Sequence, residues 1–166
     1  MTSAVLKAEP KIDQPQTGLS ANSGIATALN GVLADSVLLM LKTQSCHWNV
    51  VGPLFQPIHE LTEAQYRDLF EAIDTLAERI RALGEFAPVS FTDMLTHAEL
   101  SEEERLRPAS GMLAQLIDDH ETLARRLREL AALAGDHGDG ATEDLANARL
   151  AFHEQAAWML RATASD

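Results

Sequence analysis

The sequence predicts an all-α protein: one four-helix bundle with a long crossover, carrying a short helix, between its second and third main helices. Three observations carry this. Apolar residues recur at three- and four-residue steps over four long stretches, Gly and Pro punctuate the gaps, and no run of β-branched residues is long enough for a strand. A chain of 166 residues can bury a continuous core without covalent staples, and a single cysteine, Cys46, excludes an intrachain disulfide framework.

Residues 1–20 contain Pro, Thr and Gln without periodicity and are expected to form a flexible tail, leaving residues 21–166 for the bundle. Ser20, Asn22 or Ser23 can cap the first helix. Ile25, Leu29, Val32, Leu33, Val37, Met40 and Leu41 then mark its apolar stripe over roughly residues 22–50, up to the break at Gly52-Pro53. After Pro57 the stripe resumes at Ile58, Leu61, Leu69, Ile73, Leu76, Ile80 and Leu83 and stops at Gly84, a helix about 40 Å long. Residues 85–107 read as the crossover, with a short helix at FTDMLTH and the acidic run EEE. Leu113, Leu116, Ile117, Leu127 and Leu130 mark the third helix, which ends at Gly135. Thr142-Glu143-Asp144 opens the last helix, with acidic side chains where the N-terminal end of the dipole favours them. The loop DHGDG lacks the ligand spacing of an EF-hand and reads as a turn. No internal repeat is present.

Charge narrows the function. Lys and Arg number 13 against 25 Asp and Glu, a formal net charge of −12, so the molecule should repel polyanions. Lys7 and Lys11 are opposed by Glu9 and Asp13, which leaves no polybasic arm at the N-terminus. No secretory signal is expected, nor a segment with the roughly 20 apolar residues of a membrane span, and the expected location is the cytoplasm.

The chemistry concentrates around SCHWNVVGPLFQPIHE. A bundle that binds two metals within its own core carries Glu-x-x-His on two helices, and no histidine here has Glu three residues before it. Helix two offers His59 with Glu63 and Asp74 with Glu78, each pair four residues apart and therefore on one face. At ~100° per residue, His59, Glu63, Tyr66, Phe70, Asp74 and Glu78 share a sector of about 120°. Glu63 and Asp74 are nevertheless roughly 16 Å apart along the axis, whereas ligands must lie about 2 Å from a shared ion, so one chain cannot close the site.

Two copies can. If helix two packs antiparallel on its own copy across a two-fold axis, a single register places His59 opposite the partner's Glu78 and Glu63 opposite the partner's Asp74, because both pairs are centred on the same point between residues 68 and 69. Tyr66 and Phe70 then seal the dyad. His47 joins His59 across the short connection between antiparallel helices. Two imidazoles and three carboxylates suit Fe(II), Zn(II) or Mn(II) alike.

The stretch KTQSCHWNVVGPLFQPIHELTEAQY followed by EAIDTLAERIRALG resembles the Dps proteins, or miniferritins, over about residues 20–162. The resemblance implies a ferritin-like bundle assembled into a hollow homododecamer, with ferroxidase centres at its two-fold interfaces. It carries the metal-ligand role onto His47, His59, Asp74 and Glu78, and onto Glu63 where the family commonly has Asp. It further implies oxidation of Fe(II), preferably by hydrogen peroxide, with storage of ferric mineral, so that DNA is protected from oxidative damage. Zinc or manganese can substitute for iron. Trp48 matches a tryptophan near the centre that intercepts oxidising equivalents, against a role mainly in packing, and Asp139, Glu143 and Asp144 are candidates for the acidic residues of pores that guide iron inward, against plain capping of the last helix. The family also implies DNA binding through basic tails. The nearly charge-balanced tail here leads us to expect that binding to be weak or absent, against the alternatives of a nucleoid-compacting protein or a helical scaffold with a zinc-filled or degenerate site.

Four histidines remain. His120 lies on the apolar stripe of the third helix and reads as a satisfied core or interface residue. His97, His137 and His153 lack ligand partners and receive no role. Cys46 reads as a small buried hydrophobe.

Overall fold

The computed structural model describes residues 8–12, 23–102 and 105–165. The described residues form five helices and no strand: α1 Ser23–Asn49, α2 Phe55–Ala82, α3 Phe91–Leu95, α4 Ala109–Asp136 and α5 Gly140–Ala164. The expected flexible tail, apart from residues 8–12, and the capping candidates Ser20 and Asn22 lie outside the described residues. α1 pairs with α2 and α4 with α5, α1 closes the bundle against α4, and the short α3 rides on the crossover.

Leu29, Val32, Leu33 and Leu39 of α1 meet Leu69, Leu76 and Ile80 of α2, Leu116, Leu123 and Leu127 of α4 and Leu160 of α5 in one core. Each such side chain contributes about 1.5–3 kcal/mol by leaving water. Gly52 makes the turn between α1 and α2 with φ +112°, a backbone conformation that side chains disfavour. Pro57 falls in the first turn of α2, where its missing N–H leaves no intrahelical bond unmade. α2 therefore starts two residues before Pro57 rather than after it.

α1 corrects one expectation. It is long and apolar enough to cross a membrane by length and composition alone. Asp35 and Lys42 interrupt its apolar run. In the bundle 61% of that stretch is buried, and both charges have partners. Asp35, fully buried, accepts the N–H groups of Glu99 and Leu100 at 2.8 and 2.9 Å and pairs with Arg126 of α4. Lys42 Nζ lies 2.5 Å from Asp119 of α4 and donates to the Ser101 carbonyl at 3.2 Å. Two buried charges on one helix thus tie down both α4 and the returning crossover. Burial raises the Asp119 carboxyl above its ordinary range despite the Lys42 bond.

α5 begins at Gly140, two residues before the expected start. Asp139 caps it by accepting from Thr142 N–H at 3.1 Å and Thr142 Oγ1 at 2.6 Å, while Arg79 of α2 reaches across to Asp139 at 2.5 Å. Burial opposes ionisation of this carboxyl, but the Arg79 and Thr142 bonds outweigh it and hold Asp139 below its ordinary range.

His120 is a core residue as expected, and its partner is His153, to which the sequence reading gave no role. Both are buried, 0% and 1% exposed, with Nδ1 atoms 2.9 Å apart, so one ring donates and the other accepts. Among the described residues, His120 Nε2 has no hydrogen-bond partner. Arg149 lies nearby on α5, paired with Asp68 of α2 at 2.6 Å. Desolvation, reinforced by Arg149, pushes His120 down to about 3, and desolvation with the charges of His120 and Arg149 lowers His153 as well.

Stability should therefore fall as pH drops. Below about 6.5 the unfolded chain binds protons that the native imidazoles refuse, and each ring withdraws up to about 1.4 kcal/mol per pH unit. Urea unfolding of the paired variant His120→Phe with His153→Leu should show a flatter pH dependence between about pH 6.5 and 5, above the main titration of carboxylates.

Candidate metal centre

The turn between α1 and α2 brings His47 and His59 face to face. Their ring centroids are 3.6 Å apart with planes 14° from parallel. His47 Nδ1 lies 2.8 Å from the His59 carbonyl oxygen, and His59 Nδ1 lies 2.8 Å from the His47 carbonyl oxygen. A carbonyl oxygen only accepts, so both Nδ1 atoms carry the proton and donate. Each neutral ring then keeps its lone pair on Nε2, the arrangement by which a backbone oxygen orients a metal-binding imidazole. Phe55 stacks on His59 at 5.0 Å, and Tyr66 meets His47 edge-on at 5.3 Å. His47 is buried, at 8% exposed, and His59 is partly exposed, so the pair sits at the edge of the bundle interior.

The carboxylates occupy the outer face of α2. Ile58, Thr62, Gln65, Leu69, Ala72, Leu76 and Ile80 face inward, whereas Asp74 and Glu78 are exposed and Glu63 is half-buried. Phe70, in the same stripe, is 68% exposed. Among the described residues, no three His, Cys, Asp or Glu side chains converge within the chain to hold a metal. The fold joins His47 to His59 and leaves Asp74 and Glu78 farther along α2, as its rise per residue demands.

Glu63 has a partner that the sequence reading missed. Arg67 donates to Glu63 Oε1 from Nε at 3.0 Å and from Nη2 at 2.6 Å, and this bond holds the Glu63 carboxyl below the usual range. The four-residue spacing was the available signal. Trp48 is 62% exposed and lines a cavity of about 500 Å³ with Leu38, Leu41, Lys42, Leu106 and Met112, between α1, the crossover and α4. It adjoins His47 in sequence and is not a core packing residue of the chain. Cys46 is buried, and desolvation pushes its thiol up to about 11, which makes it an inert hydrophobe as expected.

The pore expectation needs correction for Asp139. Its buried carboxylate is committed to Arg79 and the α5 cap. Glu143 and Asp144, at the start of α5, are half-buried and exposed.

A ferritin-like domain family matches residues 26–166. A DNA protection during starvation protein of Brevibacillus brevis is 33% identical over 138 residues, 83% of this chain and 93% of that protein. A low-temperature-induced protein of Nostoc is 44% identical over 140 residues, 83% of this chain and 78% of that protein. The crystal structure of a Dps protein from Vibrio cholerae O1, titled a member of a broad superfamily of ferritin-like diiron-carboxylate proteins, superposes with a TM-score of 0.84 at 30% identity. It covers 93% of this chain and 98% of that one. Helix order and these matches define a ferritin-like bundle. The chain belongs to the Dps family of ferritin-like proteins.

Imidazole ¹⁵N spectra near pH 8, where histidine is ordinarily neutral, test the ring assignment. Both His47 and His59 should appear with protonated Nδ1, and addition of Zn(II) should move their Nε2 signals and not Nδ1.

Proposed function

We propose that this protein removes Fe(II) by oxidising it at centres built between two copies of the chain, and stores the ferric product inside a hollow homododecamer. One observation carries the reading: His47 of α1 and His59 of α2 both spend Nδ1 on backbone carbonyls, which leaves two Nε2 lone pairs near Glu63, and the α2 face that carries Glu63 also presents Asp74 and Glu78 to the outside. Family membership supports iron as the metal, and the donor set of imidazoles and carboxylates also accepts zinc or manganese.

In this reading α2 docks antiparallel on its copy, with Phe70 and Tyr66 sealing the dyad. His47, His59 and Glu63 of one chain face the partner's Asp74 and the partner's Glu78. The imidazoles bind as neutral donors, and the carboxylates cancel the charge of incoming Fe(II). Hydrogen peroxide is the oxidant: two Fe(II) give up two electrons, the O–O bond breaks, and two protons complete two waters. Trp48, close along the chain, serves as a one-electron donor that intercepts oxidising equivalents. Glu143 and Asp144 remain the entry residues for iron.

DNA protection follows from iron removal rather than from contact. Twelve chains of net charge −12 carry a charge on the order of −140, which repels a polyanion at ordinary ionic strength. Nucleoid compaction is the disfavoured second reading, and the cytoplasm is the proposed location.

Anaerobic loading with Fe(II) followed by peroxide, monitored by ultraviolet absorbance, tests the centre. Wild type should oxidise iron rapidly, whereas Asp74→Ala with Glu78→Ala should lose at least about tenfold in rate. Oxidation at the wild-type rate in that variant would place the chemistry elsewhere. Gel shifts with duplex DNA at physiological salt should show no retained complex, and tight stoichiometric binding would restore the second reading.

A further inference from the structure

The proposed centre is unevenly provided with charge. Asp74 and Glu78 stand exposed on α2, whereas Glu63 already holds a cation, with both Arg67 bonds falling on Oε1. The Arg67 guanidinium also lies 5.8 Å from the centroid of the Tyr66 ring, and Tyr66 touches His47 edge-on. Arg67, Tyr66 and His47 thus form a continuous edge around Glu63. In the isolated chain this is a solvated ion pair, 67% and 38% exposed, and contributes little.

Assembly changes that balance. The antiparallel register that sets Glu63 opposite the partner's Asp74 sets Arg67 opposite the partner's Phe70. Docking then excludes water from Arg67 and gathers Glu63, the partner's Asp74 and the partner's Glu78 into one small volume. Without metal those anions repel, and removal of water strengthens the repulsion. Arg67 is a cation already seated among them.

We propose that Arg67 is the resident counter-ion of the empty centre: it neutralises Glu63 while no metal is present and surrenders that carboxylate when Fe(II) binds. The assignment rests on the interfacial centre proposed above. It makes Arg67 a positioning residue with two linked effects. The metal-free interface is held together by the guanidinium, and every incoming metal ion must displace it, so loading is weaker than the ligands alone would allow. Arginine suits the role because its planar fork grips a carboxylate and cannot lose its charge at physiological pH.

The test uses the full-length assembled protein, with Co(II) absorbance as the metal readout and sedimentation velocity for assembly. Arg67→Gln should bind Co(II) roughly tenfold tighter, the scale of one charge-assisted hydrogen bond. Without metal the same variant should sediment partly as smaller species, and Co(II) should restore the large one. Arg67→Lys, which keeps the charge without the fork, should fall between wild type and Arg67→Gln in affinity and remain assembled. Unchanged or weaker Co(II) binding by Arg67→Gln overturns the assignment, as does a loss of assembly that Co(II) cannot repair. Asp74→Asn with Glu78→Gln separates the two levels. If that variant loses Co(II) while Arg67→Gln behaves as wild type, the centre stands and Arg67 alone is refuted. If it keeps wild-type Co(II) binding, the centre and the counter-ion fall together.

Discussion

The reciprocal bonding of His47 and His59 is the constraint on which the site depends. Each ring donates from Nδ1 to the other residue's backbone carbonyl, so the two imidazoles lock the end of α1 to the start of α2. The same bonds decide protonation. With Nδ1 committed to a carbonyl, the lone pair must stand on Nε2, turned away from the backbone. The contact that closes the turn therefore also decides which ring nitrogen stays unprotonated, and loosening the turn at Gly52 would degrade both.

A second set of interactions keeps the bundle in register at little expense of apolar core. Asp35 and Lys42 project from α1 seven residues apart, toward Arg126 and Asp119 of α4, and both also take hold of the crossover backbone. Breaking one partner of such a buried pair costs about 3–5 kcal/mol, because the remaining charge is left without water or partner. Arg79 does the same between α2 and the cap of α5. Charge pairs specify which helix lies beside which, and leucines supply most of the stabilisation.

The outer face of α2 has the opposite character. Phe70, Asp74 and Glu78 are exposed, neither of those two carboxylates has a bundle partner among the described residues, and Arg67 bonds Glu63. That face is what the single chain leaves uncovered.

Fold class was legible in the sequence because helix periodicity and Gly or Pro breaks are local properties. The four main helices, the short α3 and the alignment of His59, Glu63, Asp74 and Glu78 on one face all follow from a fixed angle per residue. Other facts depend on which helices become neighbours and on no local pattern. The pairing of His120 with His153, the commitment of Asp139 to Arg79 and the α5 cap, and the pairing of Asp35 and Lys42 with charges on α4 belong to that group. So does the orientation of the two site imidazoles, since a hydrogen bond between residues twelve positions apart exists only after α1 and α2 have folded against each other. Local sequence determined which side chains share a helix face, and the tertiary structure decided which of them remain available for chemistry, because partners across helices consume some charges and leave others open.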